Sequence, residues 1–155
     1  MTQASQLAPW KSQPAFEMDQ PVIRIAAALA VDDAGRILVV RKRGTRFFMQ
    51  AGGKIEATET SADALIRELG EELAVGVHPG ALQHLGRFVA RAANEEGHLV
   101  EAEIFHVRIP ATIFPSAEIE EVLWLDPAAA IDVPLAPLTR DHVLPLARQV
   151  RRRPS

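Results

Sequence analysis

The sequence predicts an α/β fold of the α+β kind, in which a mixed β-sheet carries helices against it. Three observations lead there. Two β-rich runs precede one strongly periodic helix, two longer β-like segments follow it, and a second helical pattern comes near the end of the chain. No internal repeat and no second domain is evident, and 155 residues suit one domain with a core of its own.

Residues 1–20 are polar and interrupted by Pro9 and Pro14, with Pro21 beyond, and read as an N-terminal extension to a domain over residues 21–150. Val22 to Val31 is a β-rich run that ends in the turn signal Asp32-Asp33-Ala34-Gly35. Arg36 to Arg41 resumes with Ile37, Leu38, Val39 and Val40, making a hairpin that leads into the basic segment RKRGTR. Phe47, Phe48 and Met49 then reach Gly52-Gly53, where the backbone can pass close to another group.

Thr58 or Thr60 can cap the helix that follows, Thr60 having Asp63 three residues on. Ala62, Leu65, Ile66, Leu69 and Leu73 recur at helical spacing and form one stripe, with Pro79-Gly80 as the stop. Leu82 to Arg91 and Leu99 to Ile109 read as strands joined by the loop Asn94-Glu95-Glu96-Gly97. Val122 to Leu125 is a short strand entering Asp126-Pro127, after which three alanines suggest a turn of helix. Leu138 to Arg151 reads as a terminal helix, with a kink or late start at Pro145, and residues 151–155 as a C-terminal tail.

Composition removes several classes of function. A net charge of −3 draws neither nucleic acid nor an anionic membrane, and the short run Arg151 to Arg153 reads as a solvated tail. There are no cysteines, so disulfides, thiolate zinc sites and cysteine nucleophiles are absent. The N-terminus lacks the pattern of a secretory signal, and the apolar stretch Ile25 to Val31 is too short to span a bilayer. A cytoplasmic protein is the expectation.

Chemistry concentrates in the central helix. Glu68, Glu71 and Glu72 sit three and four apart, on what the spacing makes one exposed side. Like charges so placed destabilise a helix by roughly 0.2–0.5 kcal/mol per pair, a cost that a bound cation removes. Hard oxygen ligands on a rigid element suit Mg²⁺, Mn²⁺ or Ca²⁺ better than zinc. A divalent-metal site that handles phosphate is the reading.

Gly53, then five residues to Glu59, then seven to Arg67-Glu68-Leu69-Gly70-Glu71-Glu72, resembles the signature box of the Nudix hydrolases. Two positions depart from the box: Ala74 stands where a glycine is usual, and Ala51 where many members carry proline. Neither side chain is a ligand, and Ala74 is expected to affect only the helix exit, where a left-handed backbone favours glycine. The resemblance implies an α/β/α sandwich and cleavage of a nucleoside diphosphate linked to another moiety, with Mg²⁺ or Mn²⁺ as cofactor and a small nucleotide as substrate. It also implies roles. Glu71 and Glu72 would hold metal, with the Gly53 carbonyl. Glu68 would ligate metal or act as the general base, and Arg67 would brace a box carboxylate such as Glu59.

A further acid is expected from a distant loop, and SAEIEEV offers Glu118, with Glu120 as its rival and Glu121 beside them. Glu101 and Glu103 are weaker candidates on a strand. Arg41 and Arg43 could meet phosphate oxygens, and Phe47 or Phe48 could stack on a base or pack in the core. Phe88, Arg91 and His98 lie near the later hairpin, where specificity often resides in this family. The single histidines His78, His84, His106 and His142 read as structural or surface residues.

Within the class, nucleoside triphosphates and nucleotide sugars both remain as substrates, with the compact size leaning toward a triphosphate. A catalytically silent nucleotide-binding or regulatory domain of the same family is the alternative, against which the intact acids weigh. An isomerase of the isopentenyl diphosphate type shares the fold but needs cysteine chemistry. The fold also allows a homodimer.

Overall fold

The unbroken apolar run of the first strand is explained by burial on both faces. In the computed structural model, which describes residues 20–152, Ala26 to Ala30 are all buried within the strand β1 (Val22–Val31). Most of the N-terminal extension and of the C-terminal tail lies outside the described residues. Alternate side chains of a strand point to opposite faces. Accordingly Ala26, Ala28 and Ala30 join one core cluster, and Leu29 joins a second on the other side of the sheet.

The hairpin partner β2 (Ile37–Lys42) follows the expected turn, where Asp32 accepts from the backbone N–H groups of Ala34 and Arg36. A short strand not foreseen, β3 (Gly52–Lys54), pairs antiparallel with β1. The helix α1 (Ser61–Leu73) starts at Thr60, whose hydroxyl accepts from the Asp63 N–H at 3.1 Å. Then come β4 (Gln83–Arg91), β5 (Leu99–Arg108) and β6 (Ile119–Leu125). The sheet order is β4-β5-β1-β2-β6, with β3 beside β1. The β1–β5 pair is parallel and the others are antiparallel, so the sheet is mixed as expected.

Leu65, Leu69 and Leu73 of α1 are fully buried in the cluster that holds Ala26, Ala28 and Ala30. Small side chains on the sheet let the helix approach closely, which brings its flanking glutamates near β3. On the opposite face Leu138, Val143, Leu144 and Ala147 pack against Leu29, Ala102 and Ile104. The result is a sheet between two helical layers.

The terminal helix is present with an irregularity at the place expected: a π-helical turn over Thr139–Val143 leads directly into α2 (Leu144–Arg152), and the Leu144 N–H bonds the Thr139 carbonyl five residues back. Pro145 has no N–H to give the Asp141 carbonyl, so the regular four-residue ladder cannot close there. One local expectation is corrected: after β6, Asp126 forms a turn by accepting from the Ala128 N–H, and the alanines are not helical.

α1 stops at Leu73 because Ala74 adopts the left-handed conformation (φ 57°, ψ 35°). Its N–H returns to the Gly70 carbonyl at 3.1 Å. Beyond it, the Phe114 N–H bonds the Leu73 carbonyl and the Ser116 N–H bonds the Glu72 carbonyl. These bonds satisfy carbonyls that a helix end leaves open. They also fasten the loop before β6 to the last turn of α1.

Candidate active site

The two glycines at the start of β3 set the geometry. Gly52 has φ 145°, and a Cβ there would collide with the Ala26 carbonyl on the neighbouring strand. At Gly53 a Cβ would lie 2.5 Å from Glu68 Oε2, so any larger residue would push the Glu68 carboxylate out of the place it holds against this strand. The backbone of β3 and the flank of α1 therefore form one wall.

The three glutamates of α1 are not equivalent, which corrects the expectation of one exposed side. Side-chain exposure is 62% for Glu71, 16% for Glu68 and 2% for Glu72. Glu72 turns toward the sheet and accepts from the Gly52 N–H at 3.3 Å. Burial pushes its carboxyl up to about 7, and the neighbouring Glu68 adds to that, while the Lys42 ammonium 3.8 Å away and the Gly52 N–H oppose it. A carboxylate so placed gains strongly from a cation.

Arg67 braces the group. Its guanidinium grips Glu59 through Nε at 2.6 Å and Nη2 at 2.9 Å, and reaches Glu68 at 2.9 Å and Glu71 at 3.4 Å. It also donates to the Lys54 carbonyl at 3.2 Å, which ties α1 to the end of β3. The Arg67 bond, reinforced by the Glu56 N–H, holds the Glu59 carboxyl down at about 2. The pairing of Arg67 with Glu59 read from the sequence is thus present in the structure.

Gly53, Glu68, Glu71, Glu72 and Glu118 all line one cleft of about 380 Å³. Its other wall is apolar, formed by Ile23, Ile25 and Ala27 from alternate positions of β1 and by Val100, which pairs with Ile23. A cleft of this size with acids on one side and an apolar floor on the other suits a ligand with a charged part and a flat apolar part. Among the described residues no three acidic or imidazole groups converge as a ready metal cluster. The carboxylate oxygens are turned instead to Arg67 and Lys42, and the longest of those contacts are to Glu71 and Glu72. The donors are all oxygens, which fits Mg²⁺ or Mn²⁺ and not a soft metal.

Glu118 stands apart from its rivals. Glu120 is paired with Arg43 at 2.8 Å and Glu121 with Arg41 at 2.8 Å, so each already serves an ion pair. Glu101 faces Arg24 at 3.4 Å, and Glu103 is held by His84 at 2.6 Å and Arg87 at 2.8 Å. None of these four acids lines the cleft.

The NUDIX domain family matches residues 22–147, which include every acid of this cleft. The chain is a Nudix hydrolase. It is 31% identical over 121 residues to the CTP pyrophosphohydrolase of Escherichia coli, covering 75% of this chain and 84% of that protein. A shorter match, 36% over 62 residues, links it to the 8-oxo-dGTP diphosphatase of Haemophilus influenzae, covering 37% of this chain and 46% of that one. Among solved structures, the E. coli ORF135 protein superposes with a TM-score of 0.67 at 26% identity, covering 88% of this chain and 96% of that one.

Three residues expected at the site from the sequence lie outside the cleft of this Nudix domain. Arg41 is spent on Glu121 and the Thr45 carbonyl, and Arg43 on Glu120 and the Ala117 carbonyl. Phe48 is 5% exposed, with Arg41 over its ring, so it packs and offers no face for stacking. The residue between the two arginines, Lys42, reaches the cleft in their place. The register of β2 against β6 is irregular between Arg41 and Lys42, and Arg43 lies in the turn beyond the strand, so the sequence carried no simple signal for this choice. The later hairpin likewise touches the cleft through Asn94, Glu95 and Val100, not through Phe88, Arg91 or His98. Gln50 and Thr139, both buried and both in the cleft wall, had no sequence signal as site residues.

Proposed function

We propose that this Nudix hydrolase cleaves the phosphoanhydride of a nucleoside triphosphate, releasing the monophosphate and pyrophosphate. One observation carries the reading: five glutamates (Glu68, Glu71, Glu72, Glu95 and Glu118) and Gly53 share a cleft of about 380 Å³ with an apolar floor. The resemblance to a CTP pyrophosphohydrolase over most of both chains supports a triphosphate over a nucleotide sugar.

In this reading Glu71, Glu72, Glu118 and the Gly53 carbonyl would hold Mg²⁺ or Mn²⁺, which when bound would supply positive charge against the phosphate oxygens. Glu68 takes the proton of the attacking water as its oxygen bonds to phosphorus and the bridging P–O bond breaks. Arg67 is a positioning residue. It fixes Glu68 and Glu71 from behind, and its own charge is anchored by Glu59. The Lys42 ammonium, 3.8 Å from Glu72, lies where it can donate to a phosphate oxygen instead. One copy of the chain supplies every group named, so the chemistry does not require a dimer. Free nucleotides as substrate make the cytoplasm the natural compartment, and no described helix is long and apolar enough to cross a membrane.

The test is a panel of nucleoside triphosphates, dinucleotides, nucleotide sugars and coenzymes assayed with Mg²⁺ for released phosphate and pyrophosphate. Turnover of triphosphates with pyrophosphate as product is expected. No turnover anywhere in the panel would leave a nucleotide-binding domain and overturn the proposal.

A further inference from the structure

The cleft wall contains an amide that the protein itself does not satisfy. Gln50 is 6% exposed, and its Nε2 has no hydrogen-bond partner. The other end of the same amide is fixed, because the Thr139 hydroxyl donates to Gln50 Oε1 at 2.5 Å. Thr139 is fully buried at the start of the π-helical turn, so it holds the amide in one orientation from a rigid element. Both residues line the cleft, as do the apolar Ala27 and Leu138.

An unpaired buried N–H is costly, and native proteins rarely keep one without a use. The use has to be an acceptor, since both Nε2 hydrogens are donors. The phosphate end of the cleft is occupied by carboxylates, so the acceptor arrives with the base. We propose that Gln50, oriented by Thr139, is a specificity-determining residue that donates from Nε2 to a carbonyl oxygen on the nucleobase. This rests on the nucleotide reading of the site. It assigns the enzyme to bases with an exocyclic carbonyl and against adenine, whose corresponding edge carries an amino donor. Two donors facing each other across a dry cleft would leave both unpaired.

Inosine and adenosine triphosphates differ along one edge of the base, where inosine carries the C6 carbonyl and an N1–H and adenosine an amino group and an N1 acceptor, and so compare an acceptor with a donor at the position facing Gln50. In the wild-type enzyme the inosine nucleotide should have the higher kcat/KM. The double variant Gln50→Leu with Thr139→Val removes both halves of the pair without leaving a buried hydroxyl. It should lower kcat/KM for inosine triphosphate by roughly 10- to 100-fold, and the ratio of inosine to adenosine turnover by about tenfold or more. An unchanged ratio, or a wild-type preference for adenosine, would overturn the proposal. A second measurement needs neither turnover nor the variant: in the wild-type protein the side-chain amide resonance of Gln50 should shift when inosine monophosphate is titrated in. A bound nucleotide that leaves that resonance unmoved, or no binding at all, contradicts the assignment. Failure of hydrolysis alone, with the amide resonance moving, would sink the pyrophosphohydrolase reading and not this one.

Discussion

Replacing Glu72 by glutamine should make the metal-free protein more stable and the enzyme useless. The carboxyl of Glu72 is buried against the sheet and titrates near 7 in the folded protein, against an ordinary value of 4.5. A carboxyl with a raised folded value stabilises the fold fully below its unfolded value, and that contribution is lost as pH rises through the folded one. The window is therefore pH 4.5 to about 7. Stability falls by about 1.4 kcal/mol for each pH unit inside that window, so the loss across it is on the order of 3 kcal/mol. Glutamine has nearly the same shape, stays neutral, and can still accept from the Gly52 N–H through its Oε1. It forgoes only the long contact to Lys42. A net gain of roughly 1–3 kcal/mol above pH 7 follows, or about 2 to 10 °C in Tm for a chain of this size. The assay is thermal denaturation in a chelator from about pH 5 to 8, repeated with Mg²⁺. Wild type should lose stability with rising pH and regain it with Mg²⁺, and the variant should do neither to the same degree. A variant that is less stable than wild type at about pH 8 in chelator would refute the electrostatic account of Glu72.

Other expectations follow from the same geometry. Ala74→Gly should raise stability by about 0.5–1 kcal/mol, measured by denaturant melts, because the left-handed backbone at φ 57° strains an alanine and not a glycine. Gly53→Ala should preserve the circular dichroism spectrum yet cut kcat roughly 100-fold, since its Cβ displaces the Glu68 carboxylate; full activity would mean that the close approach has no role. Glu118→Gln should raise the Mg²⁺ concentration for half-maximal activity by about tenfold or more. Glu120→Gln should not, because its carboxylate already belongs to Arg43; equal effects of the two would remove Glu118 from the site.

The sheet, its two helices and the box were legible because each rests on local pattern. The β1 run, the stripe Leu65-Leu69-Leu73 and the Thr60 cap all declare themselves over a few residues, and each appears in the structure close to its expected place. Ala74 was legible for the same reason, since a helix exit is a local backbone event. Glu118 was named from its loop position, and the bonds from Phe114 and Ser116 to the end of α1 fasten that loop beside the cleft. What the sequence hid depends on contacts distant along the chain. The burial of Glu72 requires knowing that β3 lies across β1 and offers the Gly52 N–H. Lys42 reaches the cleft in place of Arg41 and Arg43 at a register irregularity of β2 against β6, which only the pairing of distant strands reveals. Gln50 was silent for a plain reason: an amide shows its value only when one sees that nothing satisfies it.

Glu68 carries the central claim most directly. The decisive measurement is product release from a nucleoside triphosphate by wild type and by Glu68→Gln, each with Mg²⁺ and with chelator, alongside thermal melts to verify folding. Wild type should release pyrophosphate only with the metal, and the variant should melt within a few degrees of wild type yet lose roughly 100-fold or more in kcat. A folded variant with full Mg²⁺-dependent activity, or a wild type indifferent to chelator, would contradict the central claim.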